Sequence, residues 1–149
     1  MNFDARCTLK ARMASLDGAI AFIDAFCKDH AVGDADRLRL TLVVEELWTN
    51  TVVHGHGADA DATVDLGLAA EPTQLVLDYV DRALPFDPRG RVEPADAEAV
   101  APELSGVSEA LRRQVGGLGL ALVAGLVAGK SYAYVDGENR LRLVLRRQG

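Results

Sequence analysis

The sequence predicts a two-layer α/β sandwich, with helices packed on one face of a mixed, mostly antiparallel sheet. Three observations predict it. Apolar residues recur at helical spacing in two early segments, and they alternate with polar residues in five short ones. The alternating segments are joined mainly as hairpins, which argues against a doubly wound parallel sheet.

Residues 3–10 alternate as a first strand, with Phe3, Ala5, Cys7 and Leu9 on one face. Ser15-Leu16-Asp17-Gly18 opens a helix that keeps Ile20, Phe22, Ile23, Phe26 and Cys27 in register to about His30, and Gly33 breaks it. Asp34 or Asp36 caps a second helix, which runs to about His54 and stops at Gly55-His56-Gly57. Val64, Leu66 and Leu68 then alternate with Thr63, Asp65 and Gly67. After a turn at Glu71-Pro72-Thr73, Leu75, Leu77 and Tyr79 do the same, giving an antiparallel hairpin. Residues 82–115 hold four of the five prolines, and a connection of that length reads as a lid. A short helix over 108–114 fits within it. Gly116-Gly117-Leu118-Gly119 leads into a short apolar helix with Leu120, Leu122, Val123, Leu126 and Val127. A strand over 132–135, a turn at Asp136-Gly137-Glu138-Asn139 and a final strand complete the chain. That last strand turns Leu141, Leu143 and Leu145 inward and Arg140, Arg142 and Arg146 outward.

The 149 residues suit one domain spanning the whole chain. At 49% hydrophobic and 26% charged, the composition excludes wholesale disorder. No apolar run reaches the roughly 18 residues of a membrane helix, and the first residues lack the pattern of a signal peptide. Sixteen Lys and Arg against 22 Asp and Glu leave a net charge of −6, which disfavours nucleic-acid binding. Cys7 and Cys27 make neither a disulfide framework nor a CxxC motif, and two thiols in a reducing cytoplasm are expected.

The second helix carries the strongest chemical signal. Leu40, Val43, Val44, Leu47 and Thr51 form one stripe, and Glu46, Asn50 and His54 run along its edge at i, i+4 and i+8. A carboxylate and a carboxamide at the rim of a core need partners. A Mg²⁺ ion with phosphate would supply them, through the hard amide oxygen of Asn50; Glu46 would then polarise a hydroxyl or a water. Bonds to a neighbouring loop are the alternative. The glycines at 116–119 precede a helix, where bare backbone N–H groups attract phosphate; a tight packing turn is the alternative. Asp81, at a strand end, would accept from an exocyclic amine or stand in water.

Two further patterns are set aside. Residues 124–131 fit a relaxed phosphate-loop pattern, but they end a helix and enter a strand, the reverse of what such a loop requires. Lys130 is expected at the carbonyls ending that helix. His54-Gly55-His56 lacks the further ligands of a structural zinc site. Arg112 and Arg113 either reach a terminal phosphate or face solvent. The outward arginines, with Arg147, read as a solvated face, and Trp48 as packing the helix on the sheet.

Taken in order, these segments resemble a known superfamily. Residues 45–55, EELWTNTVVHG, resemble the N-box of the GHKL ATPases, and within them the branch of bacterial anti-sigma-factor serine/threonine kinases. Residues 81–88, DRALPFDP, resemble that branch's adenine box, and residues 116–123, GGLGLALV, its second glycine box. The ending, residues 134–143, is also similar. The resemblance implies a Bergerat-type fold with ATP and Mg²⁺ under a lid at about 82–115. It implies that Asn50 ligates Mg²⁺, that Glu46 is the catalytic base, and that His54 lies beside them. Asp81, Ala83 and Phe86 would surround the base of the nucleotide. Gly116, Gly117, Leu118, Gly119 and Leu120 would line the phosphates. The family's adenine box has Gly where Ala83 stands, and the added methyl either crowds the base or tightens the pocket.

The resemblance further implies a cytoplasmic kinase that phosphorylates a STAS-type anti-sigma-factor antagonist. Such a kinase sequesters a sigma factor and is a homodimer, with no nucleic acid or membrane among its partners. A non-catalytic, nucleotide-gated binding module of the same fold is the second reading. A relic that has lost nucleotide is the third.

Overall fold

The computed structural model of the chain describes residues 2–85 and 126–148. Strand β1 (Ala5–Lys10) leads through a 3₁₀ turn (Met13–Ser15) into α1 (Leu16–Asp29) and α2 (Asp34–Thr49), which a π-helical turn (Asn50–Gly55) extends. Four strands follow: β2 (Thr63–Ala70), β3 (Gln74–Asp81), β4 (Gly129–Val135) and β5 (Glu138–Arg146). They join β1 in one sheet of order β1-β2-β3-β5-β4. All four pairings are antiparallel, so the described strands include no parallel pair of the kind a mixed sheet would hold. This is the two-layer α/β sandwich that the alternating and helical periods foretell.

The core lies between the helices and the inner face of the sheet. Ile23 and Phe26 from α1, and Leu40, Val43, Val44 and Trp48 from α2, meet Leu66, Leu68, Leu75, Leu77, Leu143 and Leu145. Trp48 is fully buried, donates its indole N–H to the Arg12 carbonyl at 2.9 Å, and presents an edge to Tyr79. Cys27 is buried and Cys7 half-buried; both are free, and burial pushes both thiols up to about 11. Among the described residues, no helix is long and apolar enough to cross a membrane.

Several local expectations are corrected. Helix α1 is stopped by Ala31, at φ 53°, rather than by Gly33. The Val32 amide reaches back to the Cys27 carbonyl at 2.8 Å, the long bond of a Schellman stop. Gly33 instead precedes α2 as its N-cap, and Asp34 and Asp36 sit inside its first turn, where carboxylates meet the positive end of the helix dipole. Asp36 is buried because it accepts Arg39 at 2.8 Å and the Gln148 amide at 3.0 Å. Arg39 also donates to the Leu126 and Arg146 carbonyls. These bonds fix the start of α2 against the end of the chain, and so set where its other end lies.

Phe3 is not on the face of Ala5, Cys7 and Leu9. Strand β1 starts only at Ala5, after Asp4 bends the chain and ties it to Ala70 through its carboxylate. Phe3 lies on the outer face over Gly67, where a Cβ would come within 3.2 Å of its ring. The Arg6 and Arg142 guanidiniums lie 4.8 and 5.3 Å from the ring centroid. Strand β4 begins at Gly129, three residues before its expected start, and includes Lys130. Of the outward arginines, Arg142 forks onto Asp78 at 2.7 and 3.0 Å, and Arg140 pairs with Glu138. Arg147, beyond β5, donates to the Glu71 and Ala31 carbonyls instead of facing solvent. The tight turn between β4 and β5 holds Asp136 at φ 54° and Gly137 at φ 78°, the left-handed pair that a two-residue hairpin needs.

Candidate functional site

The end of α2 and the ends of β3 and β5 converge on one cleft on the inner side of the sheet. Leu47, Asn50 and Thr51 line it from the helix. Tyr79 and Asp81 line it from β3, and Tyr132, Asn139 and Leu141 from β4 and β5. The helix changes pitch there. At Asn50 its i+4 bonding gives way to the wider π turn, a distortion often found at functional sites.

Asn50 is 8% exposed, and its Oδ1 has no hydrogen-bond partner among the described residues. A buried, unsatisfied amide oxygen costs about 1–3 kcal/mol unless something meets it. Its chemistry is that of a hard ligand, so the residue present fits a Mg²⁺ ion. Glu46 lies one turn earlier and is half-buried. Burial first, and then the Glu45 charge, raise its pKa above the ordinary glutamate value. His54 lies in the π turn, outside the residues that line the cleft, because the wider turn carries it off the line drawn for a regular helix. Burial lowers its pKa. No cluster of three His, Cys, Asp or Glu side chains able to hold a metal occurs among the described residues.

Asp81 is buried and held from three directions. Thr51 Oγ1 donates to its Oδ2 at 2.7 Å, and Asn139 Nδ2 and the Ala83 amide donate to its Oδ1 at 2.8 and 3.2 Å. The Tyr79 hydroxyl lies 2.7 Å from Thr51 Oγ1, and burial holds its pKa well above the ordinary tyrosine value. Ala83 follows, and its methyl packs against the π turn. A Cβ added at Gly55 would fall 2.6 Å from Ala83 Cβ, so the absence of a side chain at 55 makes room for the one at 83. Ala83 is not among the residues lining the cleft.

The structure therefore brings Asn50 and Asp81 into one cleft, with Glu46 a turn away. Phe86, Gly116, Gly117, Leu118, Gly119 and Leu120 lie outside the described residues, as do Arg112, Arg113 and most of the expected lid. Thr51, Tyr79, Tyr132 and Asn139 were not singled out by sequence. Thr51 carried a faint signal, as a polar residue within an apolar stripe. Asn139 was masked by its place in a strong turn motif; in the fold it is a strand residue opposite Asp81.

Fold and cleft together define an α/β domain with a pocket between a distorted helix end and the sheet, into which Asn50, Thr51, Asp81 and Asn139 bring polar groups. The family model of the histidine kinase-like ATPase domain matches residues 9–145, and the chain belongs to that family. No curated protein matches the sequence significantly. Among solved structures, the chain is similar to one in the crystal structure of the SiaB-SiaC complex from Pseudomonas aeruginosa. The TM-score is 0.56 at 13% identity, covering 97% of this chain and 90% of the other. At that identity the likeness is one of fold.

Proposed function

We propose that this chain is an ATP-binding serine/threonine kinase and anti-sigma factor of a bacterial partner-switching pathway. It transfers the γ-phosphoryl group of ATP to a STAS-type anti-sigma-factor antagonist. Membership of the ATPase family supports nucleotide binding. The observation that carries the reading is the buried Oδ1 of Asn50, which has no partner among the described residues, in one cleft with Asp81 and a turn from Glu46. The similar solved structure is of a complex of two proteins, which supports a protein partner for this chain.

In this reading Asn50 holds Mg²⁺, and Asp81 accepts the exocyclic amine of adenine. Mg²⁺, when bound, neutralises charge on the phosphates. Glu46 takes the proton of the substrate hydroxyl, and its raised pKa gives it the greater proton affinity that a base needs. The glycine box at 116–120 and Phe86 complete the site as the resemblance implies. A homodimer that also sequesters a sigma factor belongs to the same reading.

The test is incubation with radiolabelled ATP, Mg²⁺ and a purified STAS-type antagonist. Label on a serine or threonine of the antagonist is expected. Asn50→Ala is expected to abolish Mg-ATP binding, and Glu46→Ala to spare binding and remove transfer. Normal Mg-ATP affinity in the Asn50 variant would falsify the site. Binding without any labelling would leave a nucleotide-gated interaction module and overturn the kinase.

A further inference from the structure

The corner where β3 and β5 meet holds a hydrogen-bond arrangement that the reading above leaves unused. Asn139 is 6% exposed and stands opposite Asp81 in the ladder. Its Nδ2 lies 2.8 Å from Asp81 Oδ1, 3.1 Å from the Ala83 carbonyl and 3.0 Å from the Leu84 carbonyl. Its Oδ1 accepts the Tyr132 hydroxyl. Three acceptors around the nitrogen and a donor at the oxygen leave one orientation for the carboxamide.

The donors can be followed to their ends. Thr51 donates its hydroxyl hydrogen to Asp81, so the Tyr79 hydroxyl must then donate to Thr51. The Tyr132 hydrogen goes to Asn139, and both Asn139 hydrogens go to Asp81 and the two carbonyls. Among the described residues, the hydroxyl and amide hydrogens of these four side chains are met within the protein. Asp81 Oδ2 accepts from Thr51 alone among those residues and retains acceptor capacity. The described part of the corner accepts and does not donate.

We propose that Asn139 is a positioning residue that sets base selectivity. It pins Asp81 as a fixed acceptor and consumes the Tyr132 hydrogen. The corner then takes a purine bearing an exocyclic amine and rejects one with a carbonyl in its place. A carbonyl there would face a carboxylate, with no donor among the described residues to meet it. This inference rests on the nucleotide reading above.

The test compares ATP with ITP, which differ at that position by amine against carbonyl. Both are titrated calorimetrically, as Mg²⁺ complexes, into the full chain. The wild type is expected to favour ATP by about tenfold or more. Asn139→Ala removes the amide that pins Asp81, and the preference is expected to fall to about threefold or less. Asn139→Asp, matched in size, takes away the donor that holds Asp81 Oδ1 and the Ala83 and Leu84 carbonyls, and the preference is expected to fall likewise. A role in folding alone would lower both affinities and leave their ratio intact. If either folded variant keeps the wild-type ratio, or if the wild type binds both nucleotides equally, this proposal is overturned and the nucleotide reading stands. A wild type that binds neither nucleotide overturns both.

Discussion

Glu46 shows how one side chain links burial to chemistry. Burial, and then the Glu45 charge, hold its carboxyl above the usual range. Between the unfolded and folded pKa values, the native chain keeps a proton that the unfolded chain has released, so stability falls as pH rises through that window. Glu46→Gln is expected to remove that slope, raising the urea midpoint at neutral pH relative to wild type. If Glu46 is the base, phosphoryl transfer rises with pH across the same window in the wild type. A rate independent of pH there would count against the role. The Gly55 and Ala83 pair gives a second test. Gly55→Ala places two methyls in one space and is expected to cost about 1–3 kcal/mol. Adding Ala83→Gly should recover more than half of that loss in urea unfolding, because the clash is between these two positions. Of the site, the sequence made Asn50 and Asp81 legible by spacing and by resemblance. Thr51, Tyr132 and Asn139 escaped because their roles come from the register of distant strands, which no local pattern encodes.

At the scale of elements, the helix-to-helix connection is the informative one. Ala31 takes a left-handed conformation that costs a residue with a Cβ about 1 kcal/mol. Ala31→Gly is therefore expected to stabilise the chain by roughly 0.5–1 kcal/mol, read as a rise in the thermal midpoint. The alternation of Leu66, Leu68, Leu75 and Leu77 announced β2 and β3 because one face of each is buried. Gly33 drew attention away from Ala31 because composition, rather than geometry, marks a helix end in sequence. The π turn was equally hidden. Regular spacing runs on through 54, and the widening over Asn50–Gly55 shows only in the folded backbone.

For the molecule as a whole, α1, α2 and the sheet share one apolar cluster, and Trp48, the sole tryptophan, lies inside it. Trp48 fluorescence and far-ultraviolet circular dichroism are expected to report the same urea midpoint, as a single cooperative transition requires. Separate midpoints would mean that the helices and the sheet unfold independently. The layer order was legible because hairpins leave only a few ways to cover a sheet. The strand order, with β5 between β3 and β4, was not, since it depends on where the chain re-enters after residue 125.

Phe3 is clasped between two guanidiniums on the surface away from the cleft. An affinity handle or a dye joined to the amino end would thus leave from the back of the molecule. Protein tethered that way to a sensor chip would show its pocket to the flowing solution.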